Sequence, residues 1–307
     1  MGEAKKKIRG ERMKAKWMLL NLICLVMLTA CQTDKDHSQT AKKLTENIKP
    51  FTSSTNFLLI GMDTRGEVHS RSDSIILAQY NPKTNSLKLA SFMRDTYVKI
   101  PGYKSYSKVN NAYYFGGEKL LKKTIKENFN IPIDHVVAID FSGFVKIVDL
   151  VAPEGIKVNV KPEMIADMNL NVKPGVQYLH GDKLLKYVRF RHDDLSDFGR
   201  VKRQQEVVLA LKEEVTKKLG SIGGIIDLPK LIQEGQKYVD TDLPTSKLLG
   251  LGASLVLNPV TEMETLRIPI ANSFENKTYQ DAGAVLEINL PANQSALKEF
   301  FSTKSKE

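Results

Sequence analysis

The hydrophobic pattern of the chain changes repeatedly between short unbroken apolar runs and longer stretches with helical spacing. Unbroken runs bounded by turn residues predict buried strands at Phe57–Ile60, Ile75–Tyr80, Leu87–Phe92, Val136–Phe141 and Gly155–Val160. Apolar positions three and four apart predict helices over residues 108–129, 144–151, 181–187, 198–219 and 245–257. Further strands are expected near 265–270 and 285–290, before a C-terminal amphipathic segment. Strands and helices mixed along the whole length predict an α/β sandwich.

Residues 1–31 have the pattern of an export signal. A basic stretch ends at Lys16, and the apolar run from Trp17 to Ala30 follows it. This run is shorter than the roughly 20 residues of a membrane-spanning helix, and it ends at Leu28-Thr29-Ala30-Cys31, which resembles the lipobox of bacterial lipoproteins. We therefore expect Cys31 to be lipidated. The alternative is an uncleaved signal anchor with an incidental cysteine, and both readings place the rest of the chain outside the cytoplasm at the membrane.

Composition and charge fit an ordinary exported globular protein. Hydrophobic residues make up 42% and charged residues 26% of the 307 residues. Half of the formal net charge of +10 lies in residues 1–30, so the basic balance reflects targeting and argues against a nucleic-acid partner. Residues 32–55 are polar and predict a flexible tether. Residues 56–307 show no break and predict a single domain, with 221–307 packed on the rest.

A cluster of arginines follows the predicted helix at 181–187. Arg189 and Arg191 are two residues apart and point the same way in an extended segment, whereas Arg200 and Gln204 share a helix face with Arg203 close by. Converging guanidinium groups suit phosphate or pyrophosphate. The alternative is a solvated basic helix start that makes ordinary ion pairs with Asp193, Asp194 and Asp197.

Two carboxylates near strand ends could hold a metal ion beside the same phosphate groups. Asp63 ends the first predicted strand and Asp73 lies in the loop after it. Magnesium is usually held by one or two carboxylates together with phosphate oxygens and water, so these side chains are candidate ligands. The alternative is that Asp63 caps a turn with Thr64 and Asp73 pairs with Arg71. The five histidines have no metal-ligand spacing, and the chain has no phosphate-binding glycine loop or dinucleotide fingerprint.

Five sequence segments together resemble the LytR-CpsA-Psr (LCP) family. They occur in the family's order at Leu58–Arg65, Arg71–Ile76, Ser91–Val98, Lys108–Tyr113 and from Tyr187–Arg191 through Asp197–Gln205. The resemblance implies an α-β-α sandwich with a central mixed sheet. It also implies a cell-envelope phosphotransferase that moves a glycopolymer, such as wall teichoic acid, from a polyprenyl-pyrophosphate carrier to peptidoglycan.

The resemblance also assigns expected roles to individual residues. Asp63 and Asp73 would bind Mg²⁺ or Mn²⁺. The pyrophosphate would be held by Arg94, Arg189, Arg191, Arg200 and Gln204, with Arg71, Lys108 and Arg203 near it. Asp197 would either orient Arg200 or act on the attacking hydroxyl. Many family members have Pro where this chain has Met93 and His where it has Asn111, and neither departure removes a charged ligand.

Three interpretations of function remain open at this point. The same residues would serve a hydrolase of polyprenyl pyrophosphates that uses water as the acceptor. A regulator or attenuator of transcription is the third reading, and the export segment argues against direct contact with DNA. A polyprenyl tail also requires an apolar channel, for which we expect the apolar residues around 141–151.

Overall fold

The computed structural model describes residues 49–63, 70–193, 196–220 and 222–302. Its strands are β1 (Thr55–Asp63), β2 (Arg71–Asn81), β3 (Ser86–Phe92), β4 (Thr96–Lys99), β5 (Tyr106–Lys108), β6 (His135–Asp140), β7 (Ile156–Val160), β8 (Gly175–Leu179), β9 (Asp240–Thr241), β10 (Glu262–Ile268), β11 (Phe274–Tyr279) and β12 (Gly283–Ile288). Its helices are α1 (Val109–Phe129), α2 (Phe141–Val151), α3 (Pro162–Met168), α4 (Gly181–Arg189), α5 (Ser196–Leu219), α6 (Ile222–Gly235), α7 (Thr245–Leu257) and α8 (Leu290–Ser302).

The central sheet is mixed, with the strand order β10-β3-β2-β1-β6-β9. Strands β1, β2 and β3 pair antiparallel, whereas β6 runs parallel to β1 and β10 runs parallel to β3. Strands β1, β3, β6 and β10 therefore end at the same edge of the sheet, and β2 begins there.

Helices cover both faces of this sheet. Leu58 and Ile60 of β1 lie in a cluster with Leu121 and Ile125 of α1 on one face. The alternate residues of the same strand, such as Phe57, lie in a cluster with residues of α5 and α7 on the other face. This arrangement confirms the expected α-β-α sandwich with a central mixed sheet.

A smaller module has its own apolar cluster. Helices α2, α3 and α4 and the β7–β8 hairpin bury residues such as Val148, Met164 and Leu184 together, and Val207 of α5 joins them. Strands β11, β12, β4 and β5 form a separate four-stranded sheet. Helix α5 thus contacts both the central sheet and the smaller module.

Several element boundaries differ from the predicted ones. Helix α2 begins at Phe141 because the Asp140 carboxylate accepts a hydrogen bond from the Gly143 amide at 2.7 Å and caps the helix. Helix α4 continues to Arg189, so the prediction that Arg189 lies in an extended segment is wrong. No prediction covered α3, α6, β8 or β11; α6 contains Pro229 and several glycines, which hide its helical pattern.

The packed part of the chain begins before the predicted end of the tether at residue 55. The Phe51 amide donates a hydrogen bond to the Ser254 hydroxyl at 2.6 Å, and the Phe51 ring lies 6.1 Å from that of Phe57. The predicted signal, the tether up to residue 48 and Cys31 lie outside the described residues. Within the described ranges, no helix combines the length and the apolar character that crossing a membrane requires.

Candidate functional site

The candidate site lies at the sheet edge where the parallel strands end. Asp63 is the last residue of β1 and Asp140 the last of β6, while Arg94 follows β3 and Arg71 begins β2. Ligands of α/β proteins commonly bind beyond the carboxyl ends of parallel strands. The topology therefore brings together residues that are far apart in the sequence.

A β-bulge places Asp73 on the same side as Asp63. Gly61 pairs with Ser74 but Met62 pairs with Ser72, so Asp73 is an extra residue in β2, and the prediction that it lies in a loop is wrong. A bulge of this kind re-aims side chains and is frequent beside active sites. Both carboxylates line the same cavity as a result.

This cavity has a volume of about 870 Å³, with a charged end and an apolar end. Along α5 the lining residues are Arg200 and Gln204, followed by Val207 and Leu211. The charged end is lined by Arg71, Arg94, Arg189, Arg191, His192, Arg200, Gln204, Asp63, Asp73, Asp140 and Asp167. The apolar end is lined by Leu59, Ile76, Val137, Ile139, Phe144, Ile147, Met168, Leu185, Val188, Val207, Val208 and Leu211. The cavity can thus accommodate a molecule that is anionic at one end and hydrophobic at the other.

Both predicted metal carboxylates lie beside arginines. Arg94 Nη1 donates to Asp73 Oδ1 at 2.7 Å, and Arg189 Nη2 lies 4.0 Å from Asp63 Oδ2. Burial lowers the pKa of Arg94, but the hydrogen bond and charge of Asp73 outweigh it, so the pKa is raised above its ordinary value. Arg94 is therefore a fixed cation at this end of the cavity.

Asp197 lies behind the arginines and does not line the cavity. Its carboxylate oxygens are 3.3 Å from Arg200 Nη1, 3.7 Å from Arg191 Nη1 and 3.8 Å from Arg94 Nε. Of the two roles open to Asp197, this position favours orienting the arginines over acting on an attacking hydroxyl.

Arg200 is a buried cation whose hydrogen-bonding groups are only partly satisfied by contacts within the protein. The residue is 4% exposed, and among the described residues its Nε has no hydrogen-bond partner. Burial lowers the pKa of Arg200, and the charge of Arg94 lowers it further. A buried charge is costly unless it is paired and hydrogen-bonded, so this guanidinium is suited to an anionic ligand.

Phe141 is a site residue that sequence reasoning did not single out. The guanidinium carbon of Arg189 lies 4.3 Å from the centre of the Phe141 ring, which makes a cation–π contact. Both residues line the cavity. An aromatic residue at the end of a predicted strand was the available signal, but its partner could not be read from the sequence.

Two predicted pyrophosphate contacts lie outside the cavity. Arg203 donates to Asp193 Oδ2 at 2.7 Å and to the Phe190 carbonyl at 2.5 Å. Lys108 Nζ lies 2.8 Å from Asp95 Oδ1. Arg203 therefore holds the segment between Arg189 and Arg191, and Lys108 is paired beside Arg94 without lining the cavity.

The donor groups fit a magnesium ion that phosphate oxygens help to hold. In the described ranges there is no group of three or more His, Cys, Asp or Glu side chains that could hold a metal by itself. Asp63 and Asp73 supply two carboxylates in one cavity. Magnesium commonly takes one or two carboxylates and completes its shell with substrate phosphates and water. Asp140 and Asp167 also line the cavity, but Asp140 caps α2 and Asp167 is hydrogen-bonded to His192, so Asp63 and Asp73 are the better candidates to hold it.

Two proteins of known sequence match most of the chain. The Regulatory protein MsrR of Staphylococcus aureus strain Mu50 is 38% identical over 245 residues, which cover 80% of this chain and 73% of MsrR. The polyisoprenyl-teichoic acid–peptidoglycan teichoic acid transferase TagU of Bacillus cereus is 35% identical over 237 residues, which cover 77% of this chain and 74% of TagU.

Solved structures with the same fold include the Bacillus subtilis protein TagV and a complex described as TagT bound to LI-WTA. TagV has a TM-score of 0.67 at 27% identity, with 83% of this chain and 100% of TagV covered. The TagT complex has a TM-score of 0.65 at 28% identity, with 82% and 92% covered. The LytR_cpsA_psr family itself matches residues 23–298. From the family match and the two relatives, the chain belongs to the LytR_cpsA_psr family.

Proposed function

We propose that this protein transfers a glycopolymer of the wall teichoic acid class from a polyprenyl-pyrophosphate carrier to peptidoglycan. The relative TagU carries this activity in its name, and its alignment covers most of both chains. In this proposal the domain works at the extracytoplasmic face of the cell membrane. It is anchored there by lipidated Cys31 or by an uncleaved N-terminal segment.

The observation that carries the proposal is the two-ended cavity. Its charged end has five arginines and its apolar end is lined by aliphatic and aromatic side chains from the sheet, α2, α4 and α5. A polyprenyl pyrophosphate has the same two parts, an anionic head and a long hydrocarbon tail. Residues of α2 line the apolar end, as expected for the region around 141–151.

The arginines would act on the pyrophosphate by positioning and electrostatics. The acceptor hydroxyl attacks the phosphorus that carries the sugar, the bond from that phosphorus to the bridging oxygen breaks, and polyprenyl phosphate leaves with that oxygen. The proton of the hydroxyl passes to solvent or to the departing phosphate. Negative charge spreads over the non-bridging oxygens and the leaving group, where Arg94, Arg191 and Arg200 supply fixed positive charge. Such a transition state needs little covalent help from the protein, so no nucleophilic side chain is required.

Asp63 and Asp73 are the proposed ligands of the metal. Magnesium bound there would neutralise charge on the phosphate oxygens. Because Asp73 also pairs with Arg94, loss of this carboxylate would disturb both the metal site and an anion-binding arginine.

Two other functions remain to be distinguished from transfer. Hydrolysis of the carrier would use the same cavity with water as the acceptor. A regulatory role is raised by the name of the staphylococcal relative MsrR. A single assay can distinguish hydrolysis and regulation from transfer.

The test is a transfer assay with the full-length chain in detergent. The protein is mixed with magnesium, a synthetic polyprenyl-pyrophosphate disaccharide and peptidoglycan oligomers. We expect a glycan–phosphate product that is lost in Asp73→Ala, in Arg191→Ala and after chelation of magnesium. Asp182→Ala and Lys202→Ala, at exposed positions outside the cavity, are the matched controls and should keep activity.

The other outcomes decide between the remaining functions. Free sugar phosphate without a peptidoglycan product would favour hydrolysis. No turnover by folded protein, with carriers of natural length also tried, would contradict catalysis and favour regulation. Activity retained in Arg191→Ala would contradict the assignment of the cavity as the active site.

A further inference from the structure

Exposed aromatic rings are concentrated beside the charged end of the cavity. Tyr103, Tyr114 and Phe115 are 43%, 37% and 41% exposed, and we call these three residues the aromatic patch. Large hydrophobic side chains usually lie inside a protein, and contiguous exposed ones mark a binding surface more often than scattered ones do.

The backbone around the patch holds its rings in place. Helix α1 is interrupted directly after Phe115, where Gly116 and Gly117 have non-helical angles and Gly117 has a φ of 61°. This break separates the first turns of the helix, which carry Tyr114 and Phe115, from its longer second part, and both parts contribute residues to the core cluster on the sheet. Tyr103, in the loop between β4 and β5, stacks on Phe115 with the ring centres 4.7 Å apart and an angle of 18° between the planes.

The aromatic patch is continuous with the cavity. Tyr114 lines the cavity as well as being exposed, and the guanidinium carbon of Arg71 lies 5.5 Å from the centre of its ring. Arg71 lines the charged end and is exposed to solvent. A molecule lying on the patch would therefore reach the arginines directly.

The position of the patch favours the acceptor over the donor. The lipid tail and pyrophosphate of the donor occupy the apolar and charged ends in the proposed function. An attacking hydroxyl must approach the phosphorus from the side opposite the leaving polyprenyl phosphate, which is the solvent side where the patch lies.

The chemistry of the rings suits the apolar face of a saccharide. The C–H groups on the face of a pyranose ring carry partial positive charge and lie well on the negative face of an aromatic ring. In the part of the chain that the structure describes, no cation lies over the Tyr103 or Phe115 ring. A polyol-phosphate chain has no pyranose face in its backbone and would find its counter-charges at the arginines, whereas the pyranose rings of a glycan strand match these apolar faces.

We propose that the aromatic patch binds the glycan strand of the peptidoglycan acceptor and directs its hydroxyl towards the charged end of the cavity. This inference rests on the proposed function, because it assigns a place to the acceptor of that reaction. It is independent of catalysis in one respect, since strand binding can be measured without turnover.

The experiment uses calorimetry to measure how tightly glycan strands bind to the full-length chain in detergent. The strands are peptide-free and consist of alternating N-acetylglucosamine and N-acetylmuramic acid. We expect Tyr103→Ala and Phe115→Ala each to raise the Kd about two- to tenfold, and the double variant to raise it further. Tyr103→Phe keeps the stacked ring and should bind like the wild type. Tyr178→Ala is the matched control, because Tyr178 is 61% exposed on the β7–β8 hairpin and does not line the cavity.

Two results would overturn the inference. One is an unchanged Kd for the strands in the double variant, or no strand binding by the wild type. The other is weaker binding of a soluble poly(glycerol phosphate) probe in the double variant while strand binding stays the same. That result would assign the patch to the donor polymer. Failure of the proposed function would look different, because the strands would bind through the patch and no transfer would follow when the donor is added.

Discussion

Helix α5 carries two buried arginines one turn apart, and the protein supplies a dedicated counter-charge to only one of them. Arg203 is 5% exposed, and its guanidinium donates to Asp193 and to the Phe190 carbonyl and lies over the Phe190 ring. Arg200, one turn earlier and 4% exposed, lies 3.3 Å from Asp197, a carboxylate that it shares with Arg191 and Arg94. The Nε of Arg200 and that of Arg203 both lack a hydrogen-bond partner among the described residues, so the difference lies in the counter-charge.

The difference separates a structural arginine from a ligand-binding one. Around Arg203 the protein supplies the counter-charge, so this side chain stabilises the fold and fixes the segment that carries Arg191. Around Arg200 the nearby charges include other arginines, and its pKa is lowered by burial and by Arg94. The protein retains an unfavourable buried charge where an anionic ligand would relieve it.

The largest expected effect is loss of stability on removal of Arg203. Arg203→Met leaves the Asp193 carboxylate, which is 6% exposed, buried without its partner. Breaking a buried ion pair in this way costs about 3–5 kcal/mol of unfolding free energy, measured by urea denaturation. Lys202→Met, at the exposed neighbouring position, is the control. A loss below about 1 kcal/mol, typical of a surface ion pair, would contradict the structural role.

Arg200→Met should produce the opposite pattern. We expect unfolding free energy to stay the same or rise, because a poorly paired buried charge is replaced by an apolar side chain of similar length. Transfer activity should fall about 10²- to 10³-fold, as for loss of one group that stabilises developing charge. The urea midpoint and the initial rate are measured on the same preparation. A loss of stability equal to that of Arg203→Met would remove the distinction between the two arginines.

Acid should weaken the structural pair. Burial of the Asp193 carboxyl raises its pKa, but the hydrogen bond and charge of Arg203 lower it more, so the net direction is downward. The unfolded state then binds more protons, and the contribution of Asp193 is complete above the ordinary aspartate pKa of about 3.9 and lost as the pH falls below it.

Asp193→Asn should flatten this part of the pH profile of unfolding free energy, whereas Asp182→Asn, at an exposed position, should not. The effect should be smaller than that of Arg203→Met, because a protonated carboxyl can still accept a hydrogen bond. An unchanged profile in Asp193→Asn would contradict the coupling.

The smallest expected effect concerns the aromatic support of Arg189. Phe141→Leu removes the ring under the guanidinium and should raise the KM for the polyprenyl-pyrophosphate donor about two- to fivefold with little change in kcat. Phe144→Leu is the matched control, since Phe144 also lines the cavity and no described arginine lies over its ring. Equal changes in both variants would show that cavity shape matters rather than the cation–π contact.

Much of the fold could be predicted because its strands are buried on both faces. The strands from Phe57, Leu87 and Val136 read as unbroken apolar runs, and the Thr245–Leu257 helix has the predicted bounds. Asp63 and Arg94 reach the site because they follow such strands. The pattern could not show the bulge, since simple alternation would have placed Asp73 on the opposite face of β2.

The roles of the arginines could be predicted only in part. Spacing correctly placed Arg200 and Gln204 on one helix face, and both line the cavity. Arg189 and Arg191 also reach the cavity, although Arg189 ends α4 instead of lying in an extended segment. Arg203 lies within one turn of Arg200, and its partner comes from the loop that holds Asp193, so spacing alone could not separate a structural arginine from a ligand-binding one.

The most direct test of the central claim is the response of stability to inorganic pyrophosphate. The unfolding free energy of the wild type and of Arg200→Met is measured with increasing pyrophosphate in the presence of magnesium. At about 100 times the Kd, the wild type should gain about 2.7 kcal/mol, and the variant should gain little at the same concentration. Equal gains in the two proteins would contradict the claim that Arg200 is buried in order to bind this anion.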